Sequence, residues 1–252
     1  MTNIIAVANH KGGVGKTTSV QNIGVALSKL GKKVLLIDLD PQANLSDSFG
    51  HEEAEVSIYD ALTDKAPAPI HKVSETLYII PSNLDLSVAE VELSNVPGRE
   101  YVLKELISAW IGLYDYIIID CPPSLGLLTI NALTACNEVY IPLDAQYFSM
   151  KGLDKLMFIL EKIKARLNKD VEVTGVFLTQ FDKRLVLNNN IAEMIEDMFP
   201  NKVFKTRIRK NIALVEAPID DLDIFSYAPS SNGAKDYKNL SLEIVAAHKE
   251  AQ

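Results

Sequence analysis

Eight residues near the start of the sequence have the composition and order of a loop that binds phosphate. They follow an apolar run at residues 4–8 and read Lys11, Gly12, Gly13, Val14, Gly15, Lys16, Thr17 and Thr18. Glycines let the backbone wrap an anion so that successive N–H groups point inward. Lys16 would contact the β and γ phosphates of a nucleotide, and Thr17 would offer its hydroxyl to Mg²⁺. Thr18 would bond on the α-phosphate side.

The elements on either side of this loop decide between a phosphate site and an ordinary glycine-rich turn. Residues 4–8 have the pattern of a strand, and residues 18–30 have apolar residues at helical spacing. Gly31 then ends the predicted helix. Because phosphate loops join a strand to a helix, this context favours nucleotide binding.

Three acidic residues stand at the ends of predicted strands. Asp38 and Asp40 close the second apolar run, and Asp120 closes the run at residues 117–120. An Asp in the position of Asp120 is expected to reach Mg²⁺, often through water, in a phosphate-loop enzyme. Each acid alone could serve a turn or a helix cap. Three of them beside a phosphate loop indicate a catalytic site.

Apolar runs typical of strands alternate with helical patterns along the chain. Strands are predicted at residues 4–8, 34–38, 77–81, 116–120, 139–143, 173–179, 203–208 and, more weakly, 224–227. Helices are predicted at residues 18–30, 86–94, 100–111, 127–136, 153–167, 189–198 and 233–248. This order predicts a mostly parallel sheet with helices on both faces. We expect residues 1–252 to form a single doubly wound α/β domain with its ligand at the carboxyl ends of the strands.

Composition limits the class of protein. Hydrophobic residues make up 48% of the 252 residues and charged residues 23%, which is typical of a soluble globular protein. We expect no signal peptide, and no apolar stretch in the sequence approaches the ~20 residues that span a bilayer. Cys121 and Cys136 lack metal-like spacing and are expected to be reduced structural thiols. A cytoplasmic protein is the expectation.

Throughout its length the chain resembles the ParA/Soj partition ATPases, in the MinD/ParA group of deviant Walker A P-loop NTPases. The resemblance rests on residues 11–18, 38–42 and 120–124. Later stretches also fit the family: residues 152–153 after Tyr147 and Phe148, residues 214–218 and residues 233–237. The additional lysine Lys11 separates this group from ordinary phosphate-loop proteins.

The resemblance implies a slow, Mg²⁺-dependent ATP hydrolase that forms a homodimer when ATP binds. Lys11 resembles the signature lysine that reaches the partner's phosphates, where Gly12 would lie close to the partner chain. Asp40 resembles the residue that orients the attacking water, so Lys11, Lys16 and Asp40 form the expected catalytic set. Thr17, Asp38 and Asp120 form the expected metal set. The segments that start at Asp40 and Asp120 would act as switch regions that sense the γ phosphate.

The resemblance also implies DNA binding without sequence preference, association with the nucleoid in the ATP state, and stimulation by a ParB-like centromere-binding protein. Expected DNA contacts are Lys183, Arg184, Lys205, Arg207, Arg209 and Lys210. The net charge of −8 argues mildly against a nucleic-acid partner, and a solvated charged face is the alternative. Residues 208–210 and 219–223 depart from the family pattern, the latter being acidic where relatives carry Gly or Lys.

Chromosome or plasmid partition is therefore the expected function, and related roles remain as alternatives. A relative that positions a protein cargo fits the same motifs. A MinD-like membrane regulator would need a basic amphipathic helix at the end, whereas residues 240–252 are mixed in charge and lack aromatics. A redox protein with a bridging metal cluster and a scaffold with a relic nucleotide site fit less well. Both lysines, Thr17 and the three acids argue against a relic site.

Overall fold

The computed structural model describes residues 2–52, 54–145 and 150–250. All its strands belong to one sheet, in the order β3-β4-β2-β5-β1-β6-β7. They are β1 (Asn3–Val7), β2 (Val34–Asp38), β3 (His71–Lys72), β4 (Leu77–Ile80), β5 (Tyr116–Asp120), β6 (Glu138–Asp144) and β7 (Glu172–Thr179). Every pairing is parallel except that of the short edge strand β3 with β4. The predicted mostly parallel sheet is confirmed.

Helices connect the strands. They are α1 (Lys16–Lys29), α2 (Asn44–Asp47), α3 (Ile58–Leu62), α4 (Leu86–Glu92), α5 (Val102–Ser108), α6 (Leu127–Ala135), α7 (Met150–Arg166), α8 (Val186–Met198), α9 (Ala213–Glu216), α10 (Ile224–Tyr227) and α11 (Asn232–Glu250). Short 3₁₀ turns follow α4 at Leu93–Asn95 and α9 at Ala217–Asp220. Nowhere in residues 2–52, 54–145 and 150–250 is a helix both long and apolar enough to cross a membrane.

Side chains of the central strands alternate between two apolar cores. In β1, Ile4 and Ala6 belong to the core that holds α3 to α8, whereas Ile5 and Val7 belong to the core under α1 and α11. Successive side chains of a strand point to opposite faces, so a strand covered on both faces must be apolar throughout. Helices therefore cover both faces, as the sequence predicts.

Helix α1, which starts in the phosphate loop, lies very close to strand β2. A Cβ added at Gly24 would lie 2.7 Å from Cδ2 of Leu36, inside the distance that real Cβ atoms keep. Glycine at this point lets the helix backbone approach the sheet, so the body of α1 packs directly on β2.

The predicted strand at residues 203–208 is wrong. This segment forms isolated bridges beside β7, from Val203 to Val176 and from Arg209 to Phe181, but no continuous ladder. The backbone N–H groups of Lys205 and Thr206 donate to the carboxylate of Glu243 on α11 at 2.8 Å. Because that carboxylate takes two donors from the middle of the segment, the segment cannot pair along its whole length.

The predicted strand at residues 224–227 is also wrong, since these residues form α10. The side chain of Asp223 accepts hydrogen bonds from the N–H groups of Phe225 and Ser226 and so caps the helix.

The predicted helix at residues 100–111 is shorter in the structure, where α5 ends at Ser108. The sequence did not predict β3, α2, α3 or α9. Tyr147 and Phe148, named above for the family resemblance, lie outside the described residues.

Candidate nucleotide site

The glycine-rich loop leaves β1 and enters α1 with two residues in the left-handed region. Gly13 has φ of 73° and Gly15 has φ of 85°, values that residues with a Cβ rarely adopt. Asn9 holds the start of the loop: its Nδ2 donates to the carbonyl of Pro142 at 2.7 Å, and its Oδ1 accepts from the N–H of Lys11 at 3.0 Å. The first half of the loop is thereby fixed to β6.

The second half of the loop is fixed to the end of β7. The Thr179 hydroxyl donates to the carbonyl of Val14 at 2.9 Å, and Nε2 of Gln180 donates to the carbonyl of Gly13 at 3.1 Å. Both halves of the loop are thus anchored to neighbouring strands. The site lies at the carboxyl ends of the strands, where parallel sheets bind ligands and where the sequence places it.

Lys16 is buried at the first turn of α1, with 7% of its surface exposed. Its Nζ donates to the carbonyl of Lys11 across the loop at 3.2 Å. Burial lowers the pKa of Lys16, and the carboxylates of Asp120 and Asp40 oppose that shift. A buried ammonium inside a glycine-rich loop would be stabilised by the negative charge of phosphate.

Asp120 ends β5 in register with the last residues of the two neighbouring strands. It pairs with Val7 of β1 and with Asp38 of β2. Both of its carboxylate oxygens are buried without a well-formed hydrogen bond. Burial, together with the charge of Asp38, raises the pKa of Asp120 well above the usual range, while the Thr17 hydroxyl and Lys16 favour the charged form. A buried carboxylate with free acceptor capacity is suited to a cation.

The surroundings of Asp120 fit Mg²⁺. Nowhere in the part of the chain that the structure describes do three or more His, Cys, Asp or Glu side chains gather as a metal cage. Mg²⁺ does not need one, because it usually takes one or two carboxylates and fills its octahedron with phosphate oxygens and water. Asp120 and the Thr17 hydroxyl are the groups that would hold it, beside the loop that would hold the phosphates.

Asp38 organises the loop that follows β2. Its Oδ2 accepts from the N–H of Ser46 at 2.9 Å and from the Ser46 hydroxyl at 2.7 Å, while its Oδ1 accepts from the N–H of Asp40 at 3.1 Å. Burial nevertheless raises the pKa of Asp38 to about 6. The Ser46 hydroxyl in turn accepts from the N–H of Ser82. Asp38 thus ties residues 40–46 to the end of β2.

Asp40 lies at the mouth of the site, 8% exposed. One of its carboxylate oxygens accepts from the N–H of Gln42 at 3.0 Å, and Ala43 reverses the chain with φ of 54°. This turn holds one oxygen of the Asp40 carboxylate in place. Asp40 is near enough to Lys16 to act on its charge.

Lys11 contacts an acid that the sequence analysis did not single out. Its Nζ lies 3.4 Å from Oδ2 of Asp144, the last residue of β6. Lys11 is about one third exposed, at 36%, whereas Asp144 is buried. Gly12, next to Lys11, is exposed, and a Cβ added there would meet open space. Gly12 therefore lies at the surface, whereas the Lys11 side chain turns toward the end of β6.

The basic residues of the predicted DNA surface fall into two groups. Three arginines have an acidic partner at 2.6 Å: Arg184 with Asp182, Arg207 with Glu196, and Arg209 with Asp236. Three lysines are exposed in the same region: Lys183, Lys205 and Lys210. Ion pairing reduces the charge that the arginines can offer to phosphate, so the lysines carry more of the positive charge of this region.

The two cysteines are buried and free, as the sequence analysis expects. Burial raises the pKa of Cys121 well above the usual range and that of Cys136 to about 12. Thiols buried within one chain cannot reach a cluster shared with a second chain. The structure therefore argues against the redox alternative.

Four polar residues around the loop were missed from the sequence: Asn9, Ser46, Asp144 and Thr179. Asp144 carries the same signal as Asp38 and Asp120, an acid that closes an apolar strand, and that signal could have found it. Ser46 lies four residues beyond the stretch at residues 38–42 that carries the family resemblance. Asn9 and Thr179 bond to main-chain groups at least 133 residues away, a relation that sequence spacing does not report.

Comparison with known proteins gives matches over nearly the full chain. Residues 2–173 match a family model described as AAA domain. The chain is 45% identical to the sporulation initiation inhibitor protein Soj of Bacillus subtilis (strain 168), covering 98% of this chain and 99% of that protein. It is 42% identical to the chromosome-partitioning ATPase Soj of Treponema pallidum (strain Nichols), covering 98% of each.

One solved structure is similar in fold to this chain over its whole length. Cobyrinic acid a,c-diamide synthase from Mycobacterium smegmatis, with a bound ATP analogue and magnesium, has a TM-score of 0.90 and 32% identity. The match covers 100% of this chain and 97% of that one.

Proposed function

Because the chain belongs to the Soj/ParA family of chromosome-partitioning ATPases, we propose that it couples ATP hydrolysis to the partition of DNA. In this proposal ATP and Mg²⁺ bind in the glycine-rich loop and promote a sandwich homodimer. The dimer binds DNA without sequence preference and associates with the nucleoid of the cytoplasm. A ParB-like protein then stimulates hydrolysis and releases the dimer. The cargo is a chromosome or a plasmid.

One observation carries the catalytic part of this proposal. Asp120 presents two buried carboxylate oxygens without well-formed hydrogen bonds beside Thr17 and Lys16. Burying a carboxylate without a hydrogen-bond or cation partner costs free energy. A bound cation would offset that cost. Asp120 and the Thr17 hydroxyl would hold Mg²⁺ there, and the ion would supply positive charge to the phosphoryl group as it reacts.

The other loop residues have separate roles in the proposal. Lys16 binds the β and γ phosphates, and the N–H groups from Gly12 to Thr18 surround them. Asp40 orients the attacking water from the turn in which it is held. Phosphoryl transfer to water needs no covalent intermediate, so orientation and positive charge suffice. Turnover is expected to be slow until the partner protein acts.

Lys11 connects hydrolysis to dimerisation. In the proposal its ammonium reaches the phosphates bound by the second subunit and stabilises charge in the transition state. Its partial exposure and the open space beside Gly12 support this role, because a second chain could approach the loop there. The contact with Asp144 would be given up when the dimer forms.

The experiment that tests the proposal compares purified wild type with Asp40→Ala. ATP binding and ATP-dependent dimerisation are expected in both, whereas Asp40→Ala should lose turnover. Asp170→Ala, at an exposed position between α7 and β7, is the control and should hydrolyse ATP like wild type. Normal turnover in Asp40→Ala would remove Asp40 from the catalytic set, and a wild type that binds no ATP would overturn the proposal as a whole.

DNA binding is tested separately, by retention of DNA on filters with ATP, with ADP and without nucleotide. Retention that needs ATP and falls steeply with salt is expected, because lysines that contact phosphate release counterions. Absence of ATP-dependent retention would favour the alternative in which the ATPase positions a protein cargo on another surface.

A further inference from the structure

A glutamate and a glycine from different parts of the chain meet at the start of α6. Oε1 of Glu90, on α4, accepts from the N–H of Leu128 in the first turn of α6 at 3.2 Å. A Cβ added at Gly126, the residue before α6, would overlap with the same oxygen. Gly126 has φ of −82° and ψ of −166°, an extended conformation that any residue adopts. Glycine is therefore needed at this position for space and not for backbone freedom.

Glu90 supplies a cap that α6 does not carry in its own sequence. Residues 126–129 read Gly, Leu, Leu and Thr, with no acid among them. The first N–H groups of a helix have no partner within the helix, and the helix dipole is positive at that end. The half-buried carboxylate of Glu90 accepts from one of these N–H groups and places negative charge beside them. Glu90 thus helps to fix the point at which α6 begins.

The start of α6 is connected to the segment that leads back to Asp120. The Thr129 hydroxyl, in the first turn of α6, donates to the carbonyl of Ser124 at 2.6 Å. One residue earlier, the carbonyl of Pro123 lies 3.1 Å from Nδ1 of His10, which precedes the glycine-rich loop. A shift at the start of α6 would therefore move the segment that ends at the metal site and touches the phosphate loop.

Helix α4 is joined to the other predicted switch segment as well. The Ser46 hydroxyl, in the loop that follows β2, accepts from the N–H of Ser82 at 2.8 Å. Ser82 lies four residues before the start of α4. Residues 82–90 therefore contact the loop that carries Asp40 at one end and, through Glu90, the helix that follows the Asp120 segment at the other.

From these contacts we propose that Glu90 is a positioning residue for ATP hydrolysis. Its carboxylate holds the start of α6 and thereby sets the path of residues 121–126 beside the metal site. Leu86 and Ala89, buried in the core, give α4 the fixed position that this role requires. The inference rests on the proposed function, because it concerns the geometry of the site that hydrolyses ATP. Glu90 acts through the backbone of α6 and not by contact with the nucleotide.

Two conservative replacements separate the reach of the side chain from its charge. Glu90→Gln keeps an acceptor oxygen at the same reach and removes the charge, whereas Glu90→Asp keeps the charge and withdraws the carboxylate by one methylene. Steady-state hydrolysis by the full chain gives kcat and KM for ATP. Glu92→Ala, which removes a carboxylate of the same helix that pairs with Lys65, is the matched control.

We expect kcat to stay within about twofold of wild type in Glu90→Gln and Glu92→Ala, and to fall about tenfold or more in Glu90→Asp and Glu90→Ala, because misplaced groups slow the reaction. KM should change by less than about twofold in all four variants, since the phosphate loop is untouched. Unchanged kcat in both Glu90→Asp and Glu90→Ala would overturn the assignment. An equal fall of kcat in Glu90→Gln and Glu90→Asp would also overturn it, because position would then not be the cause.

Gly126→Ala tests the same contact from the other side. The added Cβ should push the flexible end of Glu90 away from the N–H of Leu128 and lower kcat as Glu90→Ala does. Since both replacements remove one contact, the double variant G126A/E90A should lose no more kcat than the more impaired single variant. Losses that multiply in the double variant would show two independent effects and contradict the proposal.

Hydrogen exchange and thermal unfolding distinguish positioning from a general loss of stability. The amide of Leu128 should exchange faster in Glu90→Ala than in wild type, and equal exchange would overturn the contact. Glu90→Gln should lower Tm slightly, because it removes charge from the helix N-terminus, and yet keep its kcat. If Glu90→Ala does not fold, the comparison of Glu90→Asp with Glu90→Gln decides the question.

Hydrolysis by wild type keeps the two proposals apart. If wild type hydrolyses no ATP, the proposed function fails and the inference about Glu90 fails with it. If wild type hydrolyses ATP and the Glu90 variants hydrolyse it at the same rate, the inference about Glu90 alone fails.

Discussion

The ammonium of Lys11 lies 3.4 Å from the carboxylate of Asp144 at the end of β6. The contact joins the first residue of the glycine-rich loop to its own sheet. If Lys11 acts on the phosphates of a second subunit, this ion pair competes with dimerisation. The strength of that competition can be measured, because half-exposed ion pairs contribute up to about 1 kcal/mol.

Asp144→Asn is therefore expected to favour the ATP-bound dimer. A loss of about 1 kcal/mol in the competing contact corresponds to a roughly fivefold lower dimer dissociation constant. Sedimentation with ATP measures the dimer dissociation constant, in an Asp40→Ala background that is expected to lack turnover. Glu172→Gln, which breaks the exposed pair with Lys164 at the opposite end of β7, is the control. An unchanged or weaker dimer in Asp144→Asn would show that the contact does not restrain Lys11.

The two loop lysines should fail in different ways when replaced by alanine. Lys16→Ala should lose ATP binding, because Lys16 is buried within the loop that surrounds the phosphates. Lys11→Ala should retain ATP but lose turnover by a factor on the order of a hundred or more, as when one transition-state donor is removed. Nucleotide titration and steady-state hydrolysis separate the two effects. Turnover in Lys11→Ala that matches wild type at every protein concentration would exclude action across a dimer.

Ser46→Ala should destabilise the chain although Ser46 is not in the phosphate loop. Its hydroxyl donates to Asp38 and accepts from the N–H of Ser82, so its loss leaves two buried groups short of a partner. The expected cost is roughly 1–3 kcal/mol, which corresponds to a fall in Tm of several degrees. Thermal unfolding measures it. Ser108→Ala, whose exposed hydroxyl donates to the carbonyl of Glu105, should change Tm little, and equal values for the two variants would contradict the role given to Ser46.

Lysine and arginine replacements on the predicted DNA surface should have different effects. Lys183→Ala and Lys210→Ala should weaken DNA retention and each reduce its salt slope by about one, with Tm unchanged. Arg209→Ala should also lower stability by roughly 1 kcal/mol, because it leaves buried Asp236 without its ion pair. Lys104→Ala, exposed on α5, is the control. Retention unaffected by all three replacements would place the DNA surface elsewhere.

His51 should make stability depend on pH. Its ring lies 4.6 Å from that of His71, and burial, with the charge of His71, lowers the pKa of His51. A lowered pKa in the folded state favours the neutral form, so this stabilisation is present above about pH 6.5, the value for an unfolded histidine, and is lost as pH falls below it. When the pH is lowered from 7.5 to 5.5, urea unfolding should show a larger loss of unfolding free energy for wild type than for His51→Gln. Equal losses of unfolding free energy in the two proteins would contradict this role of His51.

Local pattern was enough to predict much of the fold. Strands that are buried on both faces are apolar throughout, so β1, β2, β4, β5, β6 and β7 stand out in the sequence. The errors have local tertiary causes. Glu243 of α11 takes the donors that a strand at residues 203–208 would have used, and Asp223 caps a helix where a weak strand is predicted. Neither partner is visible in the periodicity of the segment concerned.

The candidate site, like the fold, could be predicted only in part from the sequence. The loop and the acids Asp38, Asp40 and Asp120 could be identified because their order along the chain carries the signal. The contact between Lys11 and Asp144 joins residues 133 apart in sequence, and that between Thr179 and Val14 joins residues 165 apart. Such contacts follow from strand order, which places β6 beside β1 and β7 beside β6. Spacing along the sequence does not specify that order.

The segment at residues 203–209 has a consequence for solubility. Strand β7 is an edge of the sheet, and edges with free N–H and C=O groups invite other chains to add a strand. The N–H of Phe204 donates to Val176 and that of Ile208 to Leu178, both at 2.8 Å, so much of this edge is already occupied. At the opposite edge β3 is two residues long. Among the described residues, neither edge of the sheet therefore offers a long template for cross-β growth.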